Sequence, residues 1–369
     1  MQINPFVDAQ GRAPAELLGD WWTLRHCAQA AARSGARVTV VQASARRSEA
    51  VDDGVSCHCL PMHGADGGPD AGFAALLARL QPDVVHLHGI GFTREVHWLS
   101  ALVPGRPLLL QDHAACPPVR PWTWWRWRRS LALARGLIFC AREQAQLFVR
   151  RRLVAAHTRI HEVPEASSDF LPREREAARA RTGLCGSPAL LWVGHLDANK
   201  DPLTVLDGVA LAAHELPGLQ LWMCFGQAPL DGAVRERLRD PRLAGRVNLL
   251  GRVPHDEVEW LMSAADILVQ GSHREGSGYS VIEALACGLS PVVTDIPSFR
   301  SLLGGLPQAQ AAALWPVGDA SALAAALVRV AGQPGPARRQ QVRERFDAHC
   351  SIDAVGRGLL ASYTDALLP

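Results

Sequence analysis

Short apolar runs separated by helix-length stretches recur along nearly the whole chain, and this rhythm restricts the fold more than any other feature of the sequence. In the first half the runs are residues 37–42, 83–88, 107–111 and 136–140; in the second half they are 189–193, 219–225, 247–250, 267–269 and 290–293. Runs that are apolar on both faces belong to strands covered on both sides. The stretches between them are long enough for crossover helices, so each half reads as a parallel sheet built from βα units. The rhythm breaks between Pro164 and Ser187, where Pro172, an Arg/Glu/Ala-rich stretch, Gly183 and Gly186 precede the next strand. The expected fold is therefore α/β, with two doubly wound, Rossmann-like domains at residues 1–170 and 184–342. Ligands of open α/β sheets sit beyond the carboxyl ends of the strands. Two such domains facing one central cleft would gather their chemistry on those loops.

The bulk properties agree with a folded two-domain protein. A chain of 369 residues is long for one core, and 48% hydrophobic with 20% charged residues is a globular balance. No stretch reaches the roughly 18 consecutive apolar residues of a membrane helix. Residues 1–10 lack the basic and apolar regions of a signal peptide, so a cytoplasmic protein is expected. Nine cysteines, an odd and scattered number, point to reduced thiols. Cys57-His58-Cys59 would place two thiols on one face of a strand with no second cluster to complete a tetrahedral metal site, and is read as structural. The net charge of +2 gives no general attraction to nucleic acid. Lys200 is the single lysine among 38 basic residues.

The segment richest in chemistry is residues 272–288. It reads as a strand end, a glycine-rich loop (Glu275-Gly276-Ser277-Gly278), and a helix that stops near Gly288. The free backbone N–H groups at the start of that helix would face a phosphate or a sugar. Gly276 and Gly278 allow the backbone to approach a ligand closely. Glu275 in the loop and Glu283 two helical turns later can reach one ligand from different depths. Glu283 is embedded in Val281-Ile282 and Ala284-Leu285-Ala286, where an unpaired carboxylate would be costly, so a partner or ligand is expected for it.

This segment resembles the glutamate, seven residues, glutamate signature of the retaining glycosyltransferases of family 4, whose fold is GT-B, and the order of elements is similar from about residue 83 to 319. The resemblance implies a nucleotide-sugar donor held by the second domain, with Glu283 on the ribose hydroxyls and Glu275 on the transferred sugar. Residues 192–201 look like the family's donor-phosphate loop: Gly194 closes the strand, Lys200 stands at the phosphate-binding lysine, and His195 stands where relatives carry arginine. Gly251-Arg252-Val253-Pro254 resembles the loop beside the base, with Arg252 as a minor contact. In the first domain Gln111-Asp112-His113 resembles the histidine loop of the family, giving His113 a place beside the sugar or acceptor. His86 and His88 are read as bordering the cleft, and Glu165 as part of the interdomain hinge. The final segment, 343–369, is expected to be a helix returning to the first domain.

Two segments depart from the family or stand outside it. Residues 2–6 read as a strand stub, followed by Pro14 and Trp21-Trp22. Residues 122–129 interleave Trp122, Trp124, Trp125 and Trp127 with Arg126, Arg128 and Arg129. Such a segment packs against its domain, contacts a sugar acceptor, or lies on anionic lipid through Trp122, Trp124, Trp125, Arg126 and Arg128 as a peripheral contact at the inner face of a membrane. The expectation is thus a metal-independent, cofactor-free hexosyltransferase moving sugar with retention of configuration to a glycan, lipid-linked or small-molecule acceptor. The rival is a catalytically silent nucleotide-sugar-binding or membrane-docking protein on the same fold.

Overall fold

The computed structural model describes all residues except 15, 18–21, 307–311, 334 and 369, and the side chain of Trp22 is also left aside. Trp21 of the sequence reading therefore lies outside the described residues. The chain forms two compact units: Met1–Ser167 together with Ile352–Pro369, and Ser168–Ser351.

The first unit is built on an eight-stranded sheet in the order β3-β4-β2-β1-β5-β6-β7-β8. Its strands are β1 (Gln2–Asp8), β2 (Thr39–Ser44), β3 (Ser48–Asp52), β4 (Val55–Leu60), β5 (Val85–His88), β6 (Leu108–Gln111), β7 (Gly136–Phe139) and β8 (Arg159–Glu162). All neighbours are parallel except β3 and β4. The segment read as a stub is a full seven-residue strand in the middle of the sheet. Gln2, Ile3 and Asn4 pair with Val40, Val41 and Gln42, after which the ladder slips to Asp8 opposite Ser44. The slip falls where Pro5 has no N–H to give the ladder, which is how a proline is tolerated in a central strand. β3 and β4 form a hairpin over Asp53-Gly54, both at positive φ (48° and 78°), the backbone of a tight two-residue turn. Helix Ile352–Leu367 packs on helix Trp22–Arg33, and its Val355 and Leu359 join Cys27, Ala30 and Ala31 in one buried cluster.

The second unit has six parallel strands in the order β11-β10-β9-β12-β13-β14. They are β9 (Ala189–Gly194), β10 (Gln220–Phe225), β11 (Val247–Gly251), β12 (Ile267–Gln270), β13 (Ser290–Thr294) and β14 (Ala313–Trp315). β9 pairs with β10 on one side and β12 on the other, so the strand order reverses between β9 and β12. In a doubly wound sheet that reversal leaves a crevice at the carboxyl ends of the two strands. The loops after β9 and β12 both start there. Beneath them β9, β12 and β13 are almost wholly apolar and buried, a rigid base for the loops.

Candidate functional site

The loops after β9 and β12 are laced together. The amide of His273 donates to the carbonyl of Asn199 (2.7 Å), and Asn199 Nδ2 donates to the carbonyl of Arg274 (3.0 Å). His273 Nε2 lies 3.0 Å from Asp201 Oδ2. A Cβ on Gly271 would stand 2.9 Å from the carbonyl oxygen of Asp201 and 3.1 Å from that of Lys200, so only glycine allows this approach. Asp197 accepts from the amide of Lys200 (2.8 Å) and turns the loop back. The result points Lys200 at Glu275: Nζ to Oε1 is 2.5 Å, with side chains 19% and 14% exposed. A charge-assisted bond at this burial is stronger than a surface ion pair, yet both groups still reach solvent.

Gly278, at φ 83°, precedes helix Tyr279–Ala286, and a Cβ there would fall 2.3 Å from the ring of Phe299. No side chain caps this helix at Gly278, so its first amides are directed at the Glu275–Gly278 loop. Gln270, fully buried at the end of β12, donates to the carbonyl of Val193 (2.7 Å) and to Ser280 Oγ (3.0 Å), tying the helix start to β9. Glu283 is buried one turn further on, and His255 Nε2 reaches its Oε1 at 2.5 Å. His255 opens helix His255–Ala264, and its ring lies against Phe170 (centroids 4.6 Å) and parallel to Tyr279 (6.5 Å). Glu283 thus has the partner its apolar surroundings require. The sequence reading missed His255. The signal available was a single histidine after Pro254, in the loop that follows β11.

The remaining residues named from the sequence in this unit lie along the same edge. Gly194 ends β9 beside Lys200, where a Cβ would meet the Trp192 ring at 3.3 Å, a tight contact. His195 is exposed, and its Nδ1 accepts from the amide of Gln227 (3.2 Å), which turns it toward the loop after β10. Arg252 is exposed just past β11. Gly276 and the buried Ser277 complete the loop.

In the first unit His113 follows β6, and its surroundings add partners that the sequence did not show. His86 and His88 are buried, 1% and 3% exposed, and His86 lies with Gln2 and Tyr363 on the wall of a cavity of about 960 Å³ in the first unit. Glu165, read as hinge alone, bonds His113 Nδ1 directly. From there a polar chain enters the core. His113 Nε2 lies 3.1 Å from His88 Nδ1, and His88 Nε2 lies 3.3 Å from Gln2 Oε1. Gln2 Nε2 donates to Tyr363 Oη (3.1 Å), which lies 2.9 Å from His86 Nδ1. Rings His86/His88 and His88/His113 stack at 4.5 and 5.3 Å. Burial pushes His86 down to about 3 and holds His88 well below the usual histidine range. Burial also opposes a charge on His113, but the Glu165 carboxylate, by charge and hydrogen bond, and Asp112 outweigh it and raise His113. Burial lifts Asp112 to about 6. These directions fit one proton arrangement: a cationic His113 donating to Glu165 and to a neutral His88, which donates to Gln2.

The sequence pattern of the family described as Glycosyltransferase Family 4 matches residues 21–166, and that described as Glycosyl transferases group 1 matches residues 187–333. The chain belongs to glycosyltransferase family 4. Among curated relatives, this family 4 chain is 28% identical over 228 residues to GDP-mannose:cellobiosyl-diphosphopolyprenol alpha-mannosyltransferase of Xanthomonas campestris, covering 60% of this chain and 58% of that one. It is 28% identical over 280 residues to 2-deoxystreptamine N-acetyl-D-glucosaminyltransferase of Streptomyces fradiae, covering 70% and 64%. The match thus spans about three fifths of the length of these two relatives. Its fold is GT-B, similar to that of sucrose-phosphate synthase from Thermosynechococcus elongatus (TM-score 0.70, 20% identity, 99% and 98% of the two chains covered). It is also similar to Anabaena HepE, solved with UDP and glucose (TM-score 0.68, 14% identity, 98% and 99% covered). Among the described residues of this family 4 chain, no helix is long and apolar enough to cross a membrane, and no group of three His, Cys, Asp or Glu side chains is placed to hold a metal ion.

Proposed function

We propose that this chain transfers a hexosyl group from a nucleotide sugar to a hydroxyl acceptor, with retention of configuration and without a metal. The observation that carries the reading is the Lys200–Glu275 pair at the strand-order reversal, with the Glu283–His255 pair one turn into the helix that follows the Glu275 loop. Each half of the first pair is half of a donor site. A diphosphate arriving at the β9–β12 crevice replaces Glu275 as the counter-charge of Lys200, and the amides at Gly278 add to that pull. Glu275, released, accepts from hydroxyls of the transferred sugar, and Glu283 accepts from the ribose hydroxyls. Gly194, Gly276, Ser277, His195 and Arg252 line the same edge as donor contacts.

As the glycosyl bond to phosphate breaks, Lys200 and the helix start stabilise the charge growing on the leaving diphosphate. The acceptor oxygen attacks from the face just vacated and gives its proton to the departing phosphate, so configuration is kept. His113 serves as a donor to a sugar or acceptor hydroxyl. The Xanthomonas relative is named for GDP-mannose and a diphosphopolyprenol acceptor, whereas HepE was solved with UDP, so both bases belong in the test.

Thermal shift and hydrolysis with UDP-, GDP- and ADP-sugars, with EDTA present throughout, check the donor reading. One base family should stabilise the protein and slowly lose its diphosphate. Glu275→Ala should then lower transfer about 100-fold or more while the nucleotide still shifts the melting point. Undiminished turnover by that variant overturns the assignment of Glu275, and nucleotide binding without turnover by the unmodified chain favours a silent binding protein.

A further inference from the structure

The helix Trp124–Leu131 divides its aromatic and basic side chains between two faces. Trp124 and Trp127 turn onto the first unit's core, and Arg128 Nε is tied to the carbonyl of Arg152 (2.8 Å). Trp122, Trp125, Arg126 and Arg129 recur at three- and four-residue spacing on the outer side, with Trp122 68% and Trp125 58% exposed. The neighbouring helix Thr93–Leu102 contributes Arg94, His97 and Trp98, which with Trp125, Arg126 and Arg129 line an open cleft of about 300 Å³. The sequence reading assigned Trp124 and Arg128 to this face. The structure replaces them with Arg129, Arg94 and Trp98.

The cleft carries charge without neutralisation. No acidic side chain lines it, and residues 116–135 contain none. Arg126 and Arg129 form no ion pair among the described residues. Arg94 lies 3.7 Å from Glu95, whose carboxylate is already held by His63 at 2.9 Å. The guanidinium of Arg94 lies instead over Trp98 (5.0 Å) and that of Arg129 over Trp125 (5.9 Å). A guanidinium stacked on an indole keeps its charge and leaves N–H groups for the oxygens of an anion. Outside the cleft, Trp122, with the Arg120 guanidinium over its ring (5.7 Å), and Val119, 83% exposed, present apolar surface to solvent. A free phosphate would use the arginines and leave these two without a role. A headgroup layer uses both, since tryptophan favours its depth and arginine its charge.

We propose that this face docks on an anionic phospholipid surface, with Trp122 and Trp125 at headgroup depth and a lipid phosphate seated between Arg94, Arg126 and Arg129. The surface belongs to the first unit, whereas the proposed donor loops belong to the second, and it does not depend on the donor reading.

The full chain is floated with vesicles of phosphatidylcholine alone and of equal parts phosphatidylcholine and phosphatidylglycerol, at low and raised salt. Retention should require phosphatidylglycerol and weaken with salt. Arg126→Glu with Arg129→Glu should lower the bound fraction by about tenfold or more, and Trp122→Ala with Trp125→Ala by several fold. Circular dichroism and melting point should stay unchanged in both double variants, because these side chains contribute little to the core. Equal retention on neutral vesicles, no retention on either, or variants that bind like the unmodified chain would overturn the proposal. So would inorganic phosphate binding that Arg126→Glu/Arg129→Glu abolishes in a chain that no vesicle retains, which would make the cleft a site for a soluble anion.

Discussion

The two units treat their buried polar side chains in opposite ways. In the second, Lys200 with Glu275 and His255 with Glu283 are pairs set in or beside loops at the carboxyl edge of the sheet. In the first, Glu165, His113, His88, Gln2, Tyr363 and His86 run as one chain into the core. A pair that still reaches solvent can exchange one partner for a ligand, because the ligand's own charge replaces what is lost. A chain whose Gln2, His86 and His88 are 1 to 3% exposed loses two bonds when an inner member such as His88 is removed. On the proposed function, ligand response belongs to the second unit's pairs and stability to the first unit's chain.

The largest expected effect tests the second half of that statement. His88→Ala leaves His113 Nε2 and Gln2 Oε1 without their partner and opens space beside His86. It should destabilise the chain by about 2–4 kcal/mol. Thermal and urea unfolding measure this directly, and a midpoint equal to that of the unmodified chain would break the comparison. Donor-induced stabilisation, measured on whatever folded variant remains, should be of ordinary size.

Lys200→Ala probes the other unit. It removes the lysine of the loop after β9, the proposed diphosphate contact, and should lower kcat/KM for the donor about 10- to 100-fold, the loss of one charged hydrogen bond. Its melting point should move much less than that of His88→Ala, since Glu275 retains access to water. A variant that melts early but turns over normally would reverse the roles of the two units.

Much of the fold was readable because the central parallel strands are covered on both faces and so stand out as apolar runs. The runs at 136–140, 189–193 and 267–269 became β7, β9 and β12 almost residue for residue. The strands that escaped notice are less uniform. β3 alternates half-buried and exposed side chains, β8 has no fully buried one, and β14 is three residues long. β1 was concealed by Pro5, although Asp53-Gly54 announced the β3–β4 turn openly. The same distinction holds at the candidate site. The loops that carry Lys200, Glu275 and Glu283 are fixed by local glycines and strand ends, so their place was legible. The partners were not: His255 comes from 28 residues before Glu283, and Glu165 from 52 residues after His113. Pairing across such distances is set by the packing of whole elements, which no local pattern encodes.

The smallest effect asks how far the first unit's chain depends on charge. Glu165→Gln keeps the shape of the His113 partner but removes its charge, leaving burial, which disfavours the imidazolium, opposed mainly by Asp112. In the unmodified chain the folded-state pKa of His113 lies above its unfolded value near 6.5, so protonated His113 adds stability. That contribution is complete below about pH 6.5 and fades as pH rises through the higher folded value. The variant should therefore be less stable than the unmodified chain by about 1 kcal/mol at pH 5.5. The gap should narrow above neutrality, once His113 is deprotonated in both. Urea midpoints of the two proteins at pH 5.5 and 8.5 give the answer. A gap of the same size at both would mean that Glu165 holds His113 by geometry alone, and that the chain from Glu165 to His86 is a packing device that carries no charge.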